Sequence, residues 1–119
     1  MLATNTFVPE RDIFTGKSQA VRDLYDLLVG ELNKLGPVHE IVKAISISLE
    51  NRRPYASVLI RNRSIKLVLR AQHRIASQRI LSIDRIGANS YDHTVLLESK
   101  SDIDDELMEW LGEAYLSSK

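Results

Sequence analysis

The chain of 119 residues contains no cysteine, five glycines and three prolines. Without cysteine it has no thiol nucleophile, no thiolate zinc site and no iron–sulfur ligand. No segment approaches the roughly eighteen consecutive apolar residues of a membrane-spanning helix. The N-terminus, MLATNTFVPERDIF, does not have the basic start and apolar run of a secretory signal. We therefore expect a cytoplasmic protein with no membrane segment.

The scarcity of glycine also limits the nucleotide-binding loops that the chain could form. The sequence contains no GxxxxGK[ST] loop, no GxSxG, no HExxH and no glycine-rich dinucleotide turn. Its histidines, His39, His73 and His93, lie far apart without a second ligand at metal-like spacing. We interpret His93, next to Asp92, as structural. The sequence predicts no catalytic residue, metal site or cofactor, although an enzyme with dispersed residues stays a third possibility.

Length and composition are those of one globular domain. The chain is 44% hydrophobic and 27% charged, and a chain of this length buries about two thirds of its unfolded surface. We expect a short polar leader at residues 1–13 and a single domain at residues 14–119.

Charge is distributed unevenly along a chain whose formal net charge is zero. Residues 52–85 carry nine Lys or Arg residues and a single acidic residue, Asp84. Residues 86–119 carry two basic and eight acidic residues. The sequence therefore predicts a basic central segment that is balanced by an acidic C-terminal segment.

The first periodic segment, KSQAVRDLYDLLVGELNKLGP, predicts an amphipathic helix. Ser18 is the expected N-cap, and Gly36 followed by Pro37 is a typical helix end. One apolar stripe is formed by residues at three- and four-residue spacing: Val21, Leu24, Leu28, Leu32 and Leu35.

The period then changes to two, which predicts strands. KAISISLE alternates Ile45, Ile47 and Leu49 with polar residues, and the NRRP turn follows. In YASVLIRNRSIKLVLRA, a two-residue turn at Asn62-Arg63 would place Ile60 opposite Ile65 and Arg61 opposite Ser64. That register predicts a core face of Ala56, Val58, Ile60, Ile65, Leu67 and Leu69. It predicts a second face of Tyr55, Ser57, Leu59, Arg61, Lys66, Val68 and Arg70.

Two further segments predict strands, and the last predicts a helix. HTVLLES is a strand pattern, whereas ILSIDRI fits either a strand or a helix. SDIDDELMEWLGEAYLSS predicts a helix capped by Ser101, with Ile103, Leu107, Trp110, Leu111 and Ala114 on its apolar stripe. We therefore predict an α+β fold in which an antiparallel meander of four or five strands has the N-terminal and C-terminal helices packed on one face. The other face of the sheet is expected to be open.

Three stretches, FTGK, NRRPYASV and above all SDIDDELMEWLGEAY, resemble the bacterial domain-of-unknown-function family DUF5655. The resemblance covers about residues 14–116. It implies a compact α+β domain and carries over no reaction and no functional residue.

The acidic stretch SDIDDE superficially resembles a calcium loop. The alternation of oxygen ligands fails after Asp102 and Asp104, and the glycine that such a loop needs is missing. Carboxylates at the start of a helix are explained by capping and by the helix dipole. We therefore interpret this stretch as a helix N-terminus.

The basic central segment is the strongest candidate for a functional surface. A routine solvent-exposed sheet face would mix charges of both signs, whereas this segment is almost entirely basic. Side chains that could hold a phosphate or carboxylate there are Arg61, Lys66, Arg70, Tyr55, Ser46 and Ser48. We predict a non-catalytic binding module whose open face, residues 55–74, binds an anionic ligand or partner.

A second hypothesis is a protein-protein interaction or homodimerisation module. In that case the basic sheet of one copy meets the acidic last helix of another copy or of a partner protein. Nucleic acid is the less favoured anion, because the chain is neutral overall and only Tyr55 is placed to stack on a base.

Overall fold

The computed structural model describes residues 13–118. The predicted leader, apart from its last residue, lies outside the described residues. The described part forms two complete helices and six strands, which is the α+β class. In chain order these are α1 (Gln19–Asn33), β1 (His39–Val42), β2 (Ile47–Glu50), β3 (Pro54–Ile60), β4 (Ile65–Ala71), β5 (Ile80–Gly87), β6 (Ser90–Leu97), a 3-10 turn (Lys100–Asp102) and α2 (Asp105–Ser117). Neither complete helix is long and apolar enough to cross a membrane.

The strands form one antiparallel sheet in the order β1-β2-β3-β4-β6-β5. The prediction of a simple meander is wrong at the last two strands, because β6 pairs with β4 and β5 pairs only with β6. The exchange has a physical reason. Strand β6 carries His93, Val95 and Leu97, which are at most 1% exposed, whereas β5 is mostly exposed. The more apolar strand therefore takes the interior position.

The expected count of four or five strands is low by at least one because β1 was not predicted. This strand, HEIV, is four residues long and mostly exposed, so it shows no alternation of buried and exposed side chains. Strand β2 begins at Ile47, later than predicted. Ile45, expected in the core, is 76% exposed in the connection from β1 to β2, and Ser46 lies in the same connection.

The central hairpin, in contrast, has the predicted register. Ile60 pairs with Ile65, and the backbone N–H of Arg61 donates to the carbonyl of Ser64 across the Asn62-Arg63 turn. All six side chains predicted for the core face of this hairpin are buried: Ala56, Val58, Ile60, Ile65, Leu67 and Leu69. They belong to one hydrophobic cluster with the buried side chains of both helices.

Helix α1 begins as predicted, because the Ser18 side chain accepts a hydrogen bond from the Val21 N–H at 3.2 Å. Its buried residues are Val21, Leu24, Tyr25, Leu28 and Leu32. Leu35, which was predicted on this stripe, lies after the helix end and is 44% exposed. Gly36 follows with a φ of +155°, a conformation that favours glycine.

Helix α2 contacts β3, β4 and α1, and α1 also contacts β4. The predicted cap, Ser101, is wrong, because this residue lies in the preceding 3-10 turn. Asp104 caps the helix instead by accepting a hydrogen bond from the Leu107 N–H at 3.0 Å. An aspartate is as good an N-cap as a serine. The buried residues of the helix are Leu107, Trp110, Leu111, Ala114 and Tyr115.

Candidate functional site

The side of the sheet opposite the core-lining residues, here called the open face, is organised in rows that cross the strands. The central row has four hydroxyl groups and consists of Ile41, Ser48, Ser57, Val68, Thr94 and Ser82. The row nearer the β3–β4 hairpin consists of Leu59, Lys66 and Leu96. The row nearer the opposite end consists of Arg70, Asp92 and Asp84.

A shallow depression of about 270 Å³ lies on this face and is called here the Lys43–Arg70 pocket. Its lining includes two cations, two serine hydroxyls and one carboxylate, with Val68 among the apolar lining residues. Besides Tyr55, the polar residues are Lys43, Ser48, Ser57, Arg70 and Asp92. A pocket that combines cations and hydroxyls suits the oxygens of a carboxylate or phosphate.

The two cations of the pocket differ in their surroundings. The Arg70 Nε lies 3.1 Å from Asp92 Oδ1, and the Arg70 side chain is 45% exposed. This contact uses one edge of the guanidinium and leaves both terminal nitrogens for another acceptor. Lys43 has no ion-pair partner within residues 13–118. The pocket can therefore supply hydrogen-bond donors from two directions.

The open face also carries acidic residues from outside the β3–β4 hairpin. The Ser48 hydroxyl donates to Glu50 Oε2 at 3.0 Å, which places the Glu50 carboxylate beside the central row. Asp84 and Asp92 are paired across β5 and β6. The expectation of an almost purely basic face is therefore wrong. Pairing of distant segments adds three carboxylates that the local sequence of the hairpin does not contain.

Two arginines of the basic segment contact the two ends of α2. The Arg79 Nη1 donates to the two carboxylate oxygens of Asp104 at 2.9 and 3.1 Å. The hydrogen bond from the Leu107 N–H, together with Arg79, holds the pKa of Asp104 below its ordinary value. At the other end of the helix, the Arg53 Nη2 donates to the Ser117 carbonyl at 2.9 Å. Part of the charge asymmetry along the chain is thus neutralised within the fold.

Tyr55, predicted for the open face, is only 2% exposed and packs against Tyr115 of α2. The cause is a register shift at Leu49/Glu50, where Ala56 pairs with Leu49 but Pro54 pairs with Glu50. One extra residue in a strand breaks the alternation of faces, so Tyr55 turns towards the core. Burial, with a smaller contribution from Tyr115, raises the pKa of Tyr55 to about 12. Its hydroxyl has no hydrogen-bond partner in the described part of the chain.

His93 is fully buried on the core side, next to Leu69 in the pairing of β4 with β6. The Ile75 N–H donates to its Nε2 at 3.0 Å, and its Nδ1 lies 3.2 Å from the Tyr91 carbonyl. This pattern requires a neutral imidazole that carries its proton on Nδ1. Burial lowers the pKa of His93 below its ordinary value. The side chain anchors the loop after β4, and its geometry is that of a structural histidine.

No group of three or more histidine or carboxylate side chains within residues 13–118 is placed to hold a metal ion.

Comparison with protein families gives one result: residues 10–118 match the family described as Domain of unknown function (DUF5655). The chain belongs to this family. The match extends over both helices and all six strands described above, so the resemblance carried by the closing helix and the NRRP turn is confirmed. Neither the curated proteins nor the solved structures provide a match. The family description specifies no activity, and the function has to be argued from the geometry of this DUF5655 domain.

The DUF5655 fold brings together some of the predicted ligand-binding residues and separates others. Arg70 and Ser48 line the Lys43–Arg70 pocket, and Tyr55 borders it from the core side. Lys66 lies one row away, between Leu59 and Leu96. Arg61 lies beyond the strand end at the hairpin turn and is exposed. Ser46 lies in the β1–β2 connection, where its carbonyl accepts a hydrogen bond from the Lys43 N–H.

Sequence reasoning missed Lys43 as a site residue. The lysine precedes the first predicted strand, and no local pattern connects it with Arg70. The two residues come together only through the pairing of β2 with β3 and of β3 with β4. This pairing places Lys43, just before β2, near Arg70, at the end of β4. The weak signal in the sequence is Lys43 itself, an isolated basic residue just before the alternating serines of the KAISISLE segment.

Proposed function

We propose that this domain is a non-catalytic binding module whose open face binds an anionic group of a ligand or partner at the Lys43–Arg70 pocket. The observation that supports this best is the pair of cations beside the Ser57 hydroxyl in one depression. The proposal requires both helices to lie on the core side. The contacts of α2 with β3 and β4, and of α1 with β4, support that arrangement.

The mixed charge of the open face favours a local anionic group over a long polyanion. Nucleic acid presents a phosphate about every 3.4 Å along each strand and is bound by surfaces of one sign. A duplex on this face would bring phosphates close to Glu50, Asp84 and Asp92 as well as to the cations. A single carboxylate or phosphate group can contact Lys43 and Arg70 without facing all three acids. We therefore favour a small acidic ligand or an acidic side chain of a partner.

The row of Leu59, Lys66 and Leu96 extends this surface towards the hairpin. All three side chains are half-buried, and Lys66 lies between two aliphatic residues in the row. Such a row can contact the apolar part of a ligand while Lys66 contacts a second polar group. Arg61, at the end of the same face, contributes charge at the margin.

Binding of an acidic peptide to charge-deleted variants tests the proposal. The probe is an acetylated and amidated peptide of alternating alanine and glutamate, and its Kd is measured by isothermal titration calorimetry. Lys43→Gln and Arg70→Gln should each weaken binding by about tenfold, the effect of losing one charge-assisted hydrogen bond.

Lys34→Gln is the matched control for net charge. Lys34, at the C-terminal end of α1, pairs with Glu31, does not line the Lys43–Arg70 pocket, and its side chain is 72% exposed. This variant should bind the peptide as the unmodified protein does. Equal weakening by all three changes would show that the peptide responds to net charge alone and would rule out a site at the pocket.

The alternative function is a protein-protein interaction or homodimerisation module. The exposed Ile45 and the half-buried Val68 and Leu96 support it, because apolar side chains at a surface favour protein contacts. A dimer of basic sheet and acidic helix would have to compete with the contacts of Arg79 and Arg53 with α2 of the same chain. Sedimentation velocity at low and physiological salt tests the homodimer. Salt-sensitive self-association would favour the homodimer, and a monomer at all salt concentrations would count against it.

A further inference from the structure

We infer that the ligand of the open face carries two carboxylates, the second of which lies in an adjoining pocket beyond Arg70. This inference rests on the function proposed above. The adjoining pocket, called here the Arg53 pocket, has a volume of about 130 Å³. Its polar lining includes Arg53, Arg70, Gln72, Ser90 and Ser118.

The two pockets share a wall. Pro54, Tyr55 and Arg70 line both of them. The Arg70 Nε is engaged by Asp92, whereas its terminal nitrogens are available on either side. A ligand that lies across Arg70 would therefore extend from Lys43 at one end to Arg53 at the other. Lys43, Arg70 and Arg53, in this order across the two pockets, match two anionic groups joined by a short spacer.

Arg53 is held in place by the end of α2. Its backbone N–H donates to the Ser118 carbonyl at 3.1 Å, and its Nη2 donates to the Ser117 carbonyl at 2.9 Å. These bonds satisfy free carbonyls at the helix C-terminus, whose partial negative charge would otherwise repel an anion. The remaining guanidinium donors are left for a ligand. A cation fixed before binding loses less conformational entropy on complex formation.

The charge balance of the Arg53 pocket differs from that of the Lys43–Arg70 pocket. None of its lining residues is acidic, whereas Asp92 lines the other pocket. The shared Tyr55 phenol is neutral near pH 7, as an ordinary tyrosine is, and burial raises its pKa further to about 12. No fixed negative side chain in this pocket therefore opposes a carboxylate. Ala71 and Ala114 add a small apolar surface that suits the methylene groups of a spacer.

Paired carboxylates can come from a small dicarboxylic acid or from two acidic side chains of a peptide. Amide chemical-shift titrations with propionate, succinate and glutarate test the first source. Acetylated and amidated peptides with two adjacent aspartates, or with one aspartate and one asparagine, test the second source. At least one two-carboxylate probe should bind tenfold or more tightly than its one-carboxylate counterpart. Binding of that probe should change the amide chemical shifts of both Ser57 and Gln72, which line the Lys43–Arg70 pocket and the Arg53 pocket respectively.

Two variants on the Arg53 side separate this inference from the function on which it rests. Arg53→Gln, and independently Gln72→Ala, should reduce the advantage of the two-carboxylate probe while propionate affinity is unchanged. Arg52→Gln, at the exposed neighbouring position, is the matched control and should change neither.

If Arg53→Gln and Gln72→Ala have no effect while Lys43→Gln and Arg70→Gln weaken every probe, the paired-carboxylate inference is overturned and the binding function stands. If no probe depends on Lys43 or Arg70, the proposed function itself is overturned.

Discussion

The ring of Tyr55 packs edge-on against the ring of Tyr115, with 5.5 Å between the ring centroids. The two hydroxyls of this pair have different surroundings. The Tyr115 hydroxyl donates to the Pro37 carbonyl at 3.2 Å and so connects α2 to the segment that follows α1. The Tyr55 hydroxyl is buried without a hydrogen-bond partner among the described residues. Two residues of the same type thus make unequal contributions to stability.

Removal of the two hydroxyls should have different effects on the free energy of unfolding. Tyr55→Phe removes a buried unsatisfied group, so stability should stay unchanged or rise by up to about 1 kcal/mol. Tyr115→Phe removes a hydrogen bond and leaves the Pro37 carbonyl without that donor, and should cost about 1 kcal/mol. Urea unfolding followed by circular dichroism measures both. A clear loss of stability in Tyr55→Phe would show that its hydroxyl is hydrogen-bonded in solution.

Two glycines should respond differently to replacement by alanine. Gly36 has a φ of +155°, and a Cβ there would overlap the Tyr115 hydroxyl. Backbone strain and overpacking together should cost about 2 kcal/mol or more in Gly36→Ala. Gly30 lies inside α1 with open space around its Cα, so Gly30→Ala should gain roughly 0.5–1 kcal/mol. Thermal and urea unfolding of both variants provide the comparison. Equal changes in the two variants would contradict the packing of Tyr115 on Gly36.

The buried His93 should make stability depend on pH below neutrality. Desolvation lowers its pKa in the folded state and outweighs the opposing backbone hydrogen bonds with Tyr91 and Leu69, while His73 lowers the pKa and Asp92 raises it to a smaller extent. The unfolded chain therefore binds a proton at a higher pH than the folded chain. The stabilisation is fully present above the unfolded pKa of about 6.5 and is lost as the pH falls towards the folded pKa.

Unfolding free energies measured from pH 7.5 to 5.5 test this dependence. The unmodified protein should lose stability over this range. His93→Gln can keep an acceptor for the Ile75 N–H but cannot titrate, so its stability should be lower at pH 7.5 and nearly constant down to pH 5.5. An equally steep decrease in the variant would assign the pH dependence to other groups.

Features that depend on neighbouring residues in the sequence were predictable. The Ser18 cap of α1 and the register of the β3–β4 hairpin follow from the chemistry of a few consecutive residues. The six core side chains of the hairpin follow from alternation alone once the turn is fixed. In each case the interacting groups are close along the chain, so the pattern contains the necessary information.

Features that depend on pairing of distant segments were not predictable. The exchange of β5 and β6 reflects competition for an interior position, which no single segment determines. Tyr55 is the extra residue next to Pro54 and so turns away from the open face, although simple alternation of faces predicts it on that face. The meeting of Lys43 with Arg70, and of Asp84 with Asp92, likewise results from strand order. The sequence therefore predicts only part of the candidate site.

The most direct test of the binding function is an amide chemical-shift map of the unmodified protein with the alternating alanine-glutamate peptide at low and physiological salt. The proposed site requires shifts centred on Lys43, Ser48, Ser57 and Arg70 that persist at physiological salt, because a partly enclosed pocket is screened less than an exposed face. Shifts that are absent, that are spread over the helices, or that vanish with added salt would contradict the assignment of the open face as the binding surface.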